Sequence, residues 1–303
     1  MTEARQIDVL MPHFNDPDGL ALSLASLDAQ TATAPLRVVV YDDGSDTVAR
    51  ERLRAIVAAR GGRLELIEGA TNRGRPFSRN ALLDAIESPY VTWLDAGDEW
   101  YPAKLEAQLA ALGAREAEAA DPFVWVTCNY DWKWIGARAR ICEQRVDQDQ
   151  VRALMVGRNL RAYLWTLLAP AEAFRAVGPF DLNLPRLQDL DFFLRFVLKG
   201  GEIIKPAGRA PLCVYHKSDT GRDADQIRAC NQYVFEKHRP VYERYGRAFV
   251  QGRLFEMDLL GARIALKNKD MRKGTGFLAR ASLRKPLSMT KRLSRVARRA
   301  LQR

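Results

Sequence analysis

Three clusters of oxygen-bearing side chains each follow a short apolar run in the first hundred residues. Pro12-His13-Phe14-Asn15-Asp16 follows Ile7–Met11, Asp42-Asp43-Gly44-Ser45 follows Arg37–Tyr41, and Asp95-Ala96-Gly97-Asp98 follows Tyr90–Leu94. A single cluster of this kind serves equally well as a helix cap. Three of them, after three strands of one sheet, would converge, because an open α/β sheet binds ligands outside the carboxyl ends of its strands. Carboxylates gathered there repel one another unless a cation joins them. Hard oxygen ligands suit Mg²⁺ or Mn²⁺, with substrate phosphates completing the shell.

The elements that must position these residues alternate. Ile7–Met11, Arg37–Tyr41, Leu64–Ile67 and Tyr90–Leu94 read as strands. Leu20–Gln30, a segment capped by Ser45 or Asp46 and ending at Ile56, and Phe77–Ile86 read as helices. Such alternation implies crossover units and a mostly parallel sheet. Ala103–Ala119 reads as a further helix and Phe123–Tyr130 as a strand. Trp132 and Trp134, at period two, suggest a hairpin or an irregular strand within 131–145, and Leu160–Leu168 and Gln188–Val197 read as helical or buried. Asp223–Tyr245 is amphipathic, and helices alone are expected from Arg247 onward.

Charge divides the chain. Residues 262–303 hold 14 Lys and Arg against one acid, Asp270, whereas 1–261 hold 33 basic against 36 acidic residues, a net of −3. The overall +10 therefore belongs to a tail, and basic tails contact anionic surfaces. In 288–303, Met289, Leu293, Val296, Ala297 and Ala300 fall on one helical face and Lys or Arg on much of the rest. This pattern suits an anionic membrane interface, or docking on the protein's own acidic body. Phe277 is the one aromatic residue of the tail, so nucleic-acid stacking is not expected. No apolar run reaches 18 residues, the first residues lack a signal-peptide pattern, and the four cysteines are scattered. A cytoplasmic protein is expected, peripheral on the inner face of the membrane if the tail engages it.

Five motifs in order resemble the family 2 glycosyltransferases of GT-A fold, across roughly residues 6–216. They are Pro12-His13-Phe14-Asn15, Asp42–Ser45, Asn72-Arg73-Gly74 with Ser78-Arg79-Asn80, Leu94–Asp98, and Gly178-Pro179-Phe180-Asp181 with Gln188-Asp189-Leu190-Asp191-Phe192-Phe193-Leu194-Arg195. The resemblance implies a Rossmann-like, mostly parallel sheet with flanking helices over 1–221. The nucleotide-binding half would be about 1–100 and the acceptor-binding half 101–221, with a basic helical extension over 222–303. It implies transfer from a nucleotide sugar, with a UDP-sugar favoured, to a saccharide or lipid-linked saccharide, in polysaccharide or glycolipid synthesis. It places Asp98 on Mg²⁺ or Mn²⁺, Asp189 as the general base of an inverting displacement, and Pro12, Phe14, Asp43, Arg79, Asp95 and His216 around the donor. Gly97 departs from the family's acid, which leaves the ribose to Asp95 or the main chain.

Each assignment has a plainer counterpart. Asp189 is either the base or an acid favoured by a helix N-terminus. Arg79 is either a phosphate partner or a helix-surface cation. His216 is either near the diphosphate or an ordinary core or surface histidine, and Trp132, Trp134 and Trp165 are either sugar-stacking or core. Asp191 is expected to be structural or acceptor-facing. A sugar-phosphate nucleotidyltransferase and a dehydrogenase both call for a glycine-rich loop after the first strand, and no glycine occurs there before Gly19. A catalytically weak sugar-nucleotide-binding protein, given Gly97, and an anionic-membrane-binding protein driven by the tail are the remaining alternatives.

Overall fold

The computed structural model describes residues 5–118, 123–134, 139–217 and 223–301, with the side chains of Trp134, Lys217, Leu293 and 295–301 outside the description. It divides into two compact units, Met1–Ser218 and Asp219–Arg303.

In the first unit, strands β1 (Ile7–His13), β2 (Leu36–Asp42), β3 (Leu64–Glu68) and β4 (Tyr90–Trp93) alternate with helices α1 (Pro17–Asp28), α2 (Thr47–Ala59) and α3 (Arg75–Asp84). Then come β5 (Glu99–Trp100), α4 (Lys104–Glu118), β6 (Val124–Val126), β7 (Tyr130–Trp134), β8 (Arg140–Cys142) and α5 (Gln150–Val156). A 3₁₀ turn (Leu164–Thr166) leads into β9 (Leu168–Pro170), α6 (Ala171–Arg175), α7 (Gln188–Leu198), β10 (Glu202–Ile204) and β11 (Cys213–Lys217).

The strands form a seven-stranded sheet, ordered β10-β6-β9-β4-β1-β2-β3, and a four-stranded sheet, β5-β11-β7-β8. In the larger sheet β1 runs parallel to β2 and β4, with His13 opposite Asp42 and Leu10 opposite Trp93. Only β9 runs antiparallel to its neighbours there, among the described strands. The α/β fold with a mostly parallel sheet is thus borne out. Val9, Leu10 and Met11 of β1 and Val39, Val40 and Tyr41 of β2 are buried in succession, and Val9, Met11, Leu24, Val40 and Leu94 share one core cluster. A second aromatic core lies under α7, where Trp125 stacks on Phe196 at 3.8 Å between ring centroids.

Two expectations change. The run Phe123–Tyr130 is split, because the chain changes sheets between β6 and β7. Thr127 donates its N–H to the Ile204 carbonyl at 2.8 Å, while Asn129 Oδ1 accepts the Gln144 N–H at 2.9 Å. Leu160–Leu168 holds a 3₁₀ turn and β9 rather than a helix, an ambiguity inherent in short buried apolar runs. The hairpin expected from Trp132 and Trp134 is present as β7 and β8, with Trp132 opposite Arg140.

The second unit consists of α8 (Ala224–Lys237), α9 (Arg239–Arg244), α10 (Arg247–Lys267), α11 (Met271–Arg284) and α12 (Pro286–Leu301). Gly261 on α10 lets Phe277 of α11 approach closely, at 3.4 Å from where a Cβ would stand. Buried Asp258 is clamped by Arg228 at 2.9 Å and Arg284 at 2.8 Å. Among the described residues no helix is long and apolar enough to cross a membrane. Met289, expected on the membrane-facing stripe of the tail, instead packs with Phe255 and Ala281. Arg292 pairs with Glu256 at 3.2 Å. These contacts leave less of α12 for a membrane, and the side chains of the other stripe residues, Leu293, Val296, Ala297 and Ala300, lie outside the description.

Candidate active site

The parallel register of β1, β2 and β4 brings their three following loops to one edge. There they enclose a cavity of about 260 Å³, whose walls include Pro12, Phe14, Asp43, Arg75, Asp95 and Ser78. Phe14 remains 46% exposed at its rim, an aromatic face open to solvent. A groove of about 940 Å³ lies at the opposite end of β4, around Pro89, Tyr90 and Ala173. It is less suited to this chemistry: it sits at the amino end of the strand, and its acids Glu116 and Glu172 already pair with Arg5 and Arg175.

Local hydrogen bonds fix the first two loops. Asp16 donates its N–H to His13 Nε2 at 3.3 Å, so the imidazole proton sits on Nδ1 and is donated to Asp42 at 2.9 Å. Asp42 also accepts the Ser45 hydroxyl and, at 3.1 Å, the Ser45 N–H. Asn15 donates its N–H to Ser45 Oγ at 2.8 Å, closing the network between β1 and β2. Asp43 accepts the Arg73 N–H at 2.9 Å and the Gly74 N–H at 2.8 Å, one on each oxygen. It thereby holds the loop that starts α3, and each oxygen keeps a second lone pair for a ligand. Gly74, at φ +87°, turns the chain into α3 without a side-chain cap.

The acidic turn after β4 is held from α1. Ser23 Oγ donates to the Asp98 carbonyl at 2.7 Å and accepts the Gly97 N–H at 3.0 Å. Gly97 adopts φ +90°, a backbone that side-chain-bearing residues rarely take. Asp98 is buried, and burial pushes its carboxyl well above the usual range, with the Asp95 charge adding to the shift. Arg75 and the His216 N–H oppose it. His216 in turn places Nε2 on Glu99 of the neighbouring β5.

Arg79 joins the two ends of the motif series. It is 1% exposed, pairs with Asp189 and lies 3.3 Å from Asp95. The helix-surface reading of Arg79 is therefore overturned: its helix face points into the protein, and its guanidinium is engaged by two carboxylates. Burial raises the Asp189 carboxyl above its usual value; Arg79 opposes this and Asp95 adds to it. Asp191 is fully buried and holds Arg195 at 2.9 Å, and Arg195 donates to the Val177 and Pro179 carbonyls, each at 2.7 Å. Asn80 closes the same loop by exchanging two hydrogen bonds with the Phe180 backbone, at 3.0 and 2.7 Å. Asp191 and Asn80 thus position the turn that precedes Asp189.

The structure places Pro12, Phe14, Asp43 and Asp95 on the cavity, Arg79 and Asp189 beside Asp95, and Asp98 and His216 in contact with each other. Arg75 is a site residue that sequence reasoning passed over. Its signal was a cation at the first turn of α3, immediately before Pro76. Trp165 is 3% exposed and belongs to the core, Trp132 is half-buried, and the Trp134 side chain lies outside the description.

The residues also bear on a metal. Among the described residues, no group of three or more His, Cys, Asp or Glu is arranged to hold an ion. One or two carboxylates with room for a diphosphate is the arrangement that suits Mg²⁺ or Mn²⁺ shared with a substrate, and a dry Asp98 next to Asp95 fits it.

Comparison with known proteins settles the family. The model of glycosyl transferase family 2 matches residues 8–162, just over half of the chain. The chain belongs to that family. The uncharacterised glycosyltransferase YibD of Escherichia coli is 28% identical over 132 residues, covering 44% of this chain and 36% of YibD. The succinoglycan biosynthesis protein ExoU of Rhizobium meliloti is 34% identical over 115 residues, covering 37% of this chain and 33% of ExoU. The chain spans less than two thirds of the length of the curated relatives it matches. Among solved structures, the mannosyltransferase PcManGT of Pyrobaculum calidifontis, in complex with GDP-Man and Mn²⁺, aligns with a TM-score of 0.61 at 19% identity, over 99% of this chain and 81% of that one. TarS of S. aureus in complex with UDP-GlcNAc aligns at 0.58 and 15%, over 93% and 92%. At such identities the likeness establishes the fold, GT-A.

Proposed function

We propose that this chain is a glycosyltransferase that moves a sugar from a nucleotide sugar to a hydroxyl of a saccharide or lipid-linked saccharide, with inversion at the anomeric carbon. The observation that carries the reading is that Asp95, on the cavity wall, is joined through buried Arg79 to Asp189 of a distant helix, with Asp98 buried in the same turn as Asp95. Pro12, Phe14 and Asp43 sit where the nucleoside would lie, within the nucleotide-binding half of about 1–100. Residues 101–221 would form the acceptor side. Asp95 is the carboxylate on the cavity wall available to the ribose, in the place Gly97 leaves.

The chemistry follows from these placements. The acceptor hydroxyl is a poor nucleophile, and a carboxylate with a raised pKa is a better base for it. Asp189 has that property, and Arg79 aims it by fixing one of its oxygens. Arg75, on the cavity wall at the start of α3, faces the place where negative charge develops on the leaving diphosphate. A divalent ion bound by Asp98 would neutralise part of that charge when present. The His216 ring, oriented by Glu99, stands next to it. The relatives that act in amylovoran and succinoglycan biosynthesis favour a polysaccharide setting.

A panel of nucleotide sugars tests the reading. One donor, most simply a UDP-sugar, is expected to raise the melting temperature with Mn²⁺ and to be hydrolysed slowly without acceptor. The GDP-Man and UDP-GlcNAc complexes of the two structural neighbours make these the first donors to try. A chain that neither binds nor hydrolyses any donor of the panel, with or without metal, would leave the proposal without support.

A further inference from the structure

Beside the Asp98 turn the first unit carries an aromatic platform with a cation at its edge. The rings of Tyr163, Trp165 and Tyr215 stack in nearly parallel planes. Tyr163 and Trp165 have centroids 5.2 Å apart and planes 20° apart, and Trp165 and Tyr215 are 5.7 Å apart at 7°. Trp132 leans on Tyr215 at 5.1 Å. Trp165 backs the platform from the core, while Tyr163, Tyr215 and Trp132 are only part-buried. Tyr215 lies opposite Trp132 in the register of β11 with β7, and the next residue, His216, sits on Glu99 directly after Asp98, which places the platform beside that turn.

Arg161 supplies the cation. Its guanidinium lies 5.4 Å over the Trp132 ring. Its backbone is pinned from both sides: Gln144 Oε1 accepts its N–H at 3.0 Å, and Gln144 Nε2 donates to its carbonyl at 3.1 Å. Gln144 is itself 1% exposed and tied to Asn129. Among the described residues no carboxylate pairs with Arg161, in contrast to Arg79 and Arg195 of the same region. A half-buried, pre-positioned guanidinium stacked on an aromatic ring and lacking a carboxylate is suited to an external anion.

We infer that Tyr163, Tyr215, Trp132 and Arg161 form the acceptor subsite and that the acceptor is an anionic sugar, its ring on the aromatic faces and its charge on Arg161. The inference rests on the transferase reading and deepens it. Aromatic faces suit the C–H-rich face of a pyranose, and the guanidinium fork accepts a carboxylate or a phosphate ester alike.

The test is a binding titration of the full chain, followed by tryptophan fluorescence, with UDP present to fill the donor cavity. The probes are glucuronate, glucose 6-phosphate, glucose and inorganic phosphate. At least one anionic sugar is expected to bind about tenfold or more tightly than glucose, the size of effect that a hydrogen bond to a charged group confers. The two anionic sugars tell a carboxylate from a phosphate acceptor. Arg161→Gln should bring the anionic sugar down to the level of glucose, Arg161→Lys should retain part of the preference, and Trp132→Leu should weaken every sugar. Equal binding of glucose and both anionic sugars would overturn the inference, as would a preference that survives Arg161→Gln or an absence of saturable sugar binding. Inorganic phosphate binding as tightly as glucose 6-phosphate would remove the platform from it. The titration needs no turnover, so it is independent of the transferase reading, which fails separately if no nucleotide sugar loses its sugar.

Discussion

Asp189→Asn is expected to lower the transfer rate by about 10²–10⁴-fold, the range that a positioned general base supplies. The substitution keeps an oxygen for Arg79 and removes only the basic function. Donor binding should therefore survive, and slow donor hydrolysis should fall with transfer, since water needs the same base. The pH profile adds a signature. A base works only when deprotonated, so the rate falls as pH drops through its pKa. Burial has raised that pKa, and the acid limb should lie above the ordinary carboxylate range. The variant should lose that limb. Steady-state kinetics on a folded variant checks both, and a variant retaining wild-type transfer would remove Asp189 from the chemistry.

Asp98→Asn is the second large effect. Electrostatic stabilisation of a leaving diphosphate contributes several kcal/mol, so a loss of about 10²–10³-fold in turnover is expected. The response to added Mn²⁺ should fall with it. Stability should move the other way. A carboxyl whose folded-state pKa is raised contributes most below its unfolded pKa, and that contribution is lost as pH rises through the folded value. At neutral pH without metal, Asp98 thus carries a cost of burial, only partly offset by Arg75 and the His216 N–H, that Asn lacks. The metal-free variant should melt no lower than the wild type, and its melting temperature should depend less on pH. A collapse in stability together with activity would mean that Asp98 holds the fold rather than the donor.

What could be read from the sequence depended on how local its cause was. The first four strands are legible because each carries a β-branched or apolar run ended by Pro, Asp or Gly. The change of sheet at Thr127–Asn129 is not, because partners at Ile204 and Gln144 decide it. The site divides in the same way. Asp43 and Asp98 occupy strand ends that spacing alone identifies. Arg79 sits at an ordinary helical position, and nothing nearby in the chain indicates that Asp189, 110 residues away, will bury it. Met289 shows the same limit: a helical stripe has a period, but the period does not say whether the stripe meets a membrane or Phe255. Trp132 and Trp165 are equivalent as residue types, and only packing makes one a backing and the other an edge.

The most direct test of the central claim is the anomeric configuration of the first-formed product, read by NMR during a single time course with the donor found in the panel. Direct displacement by a hydroxyl activated by Asp189 requires inversion relative to the donor. A product of inverted configuration, absent with Asp189→Asn, is the predicted result. A product that retains the donor's configuration would contradict both the single displacement and the role of Asp189.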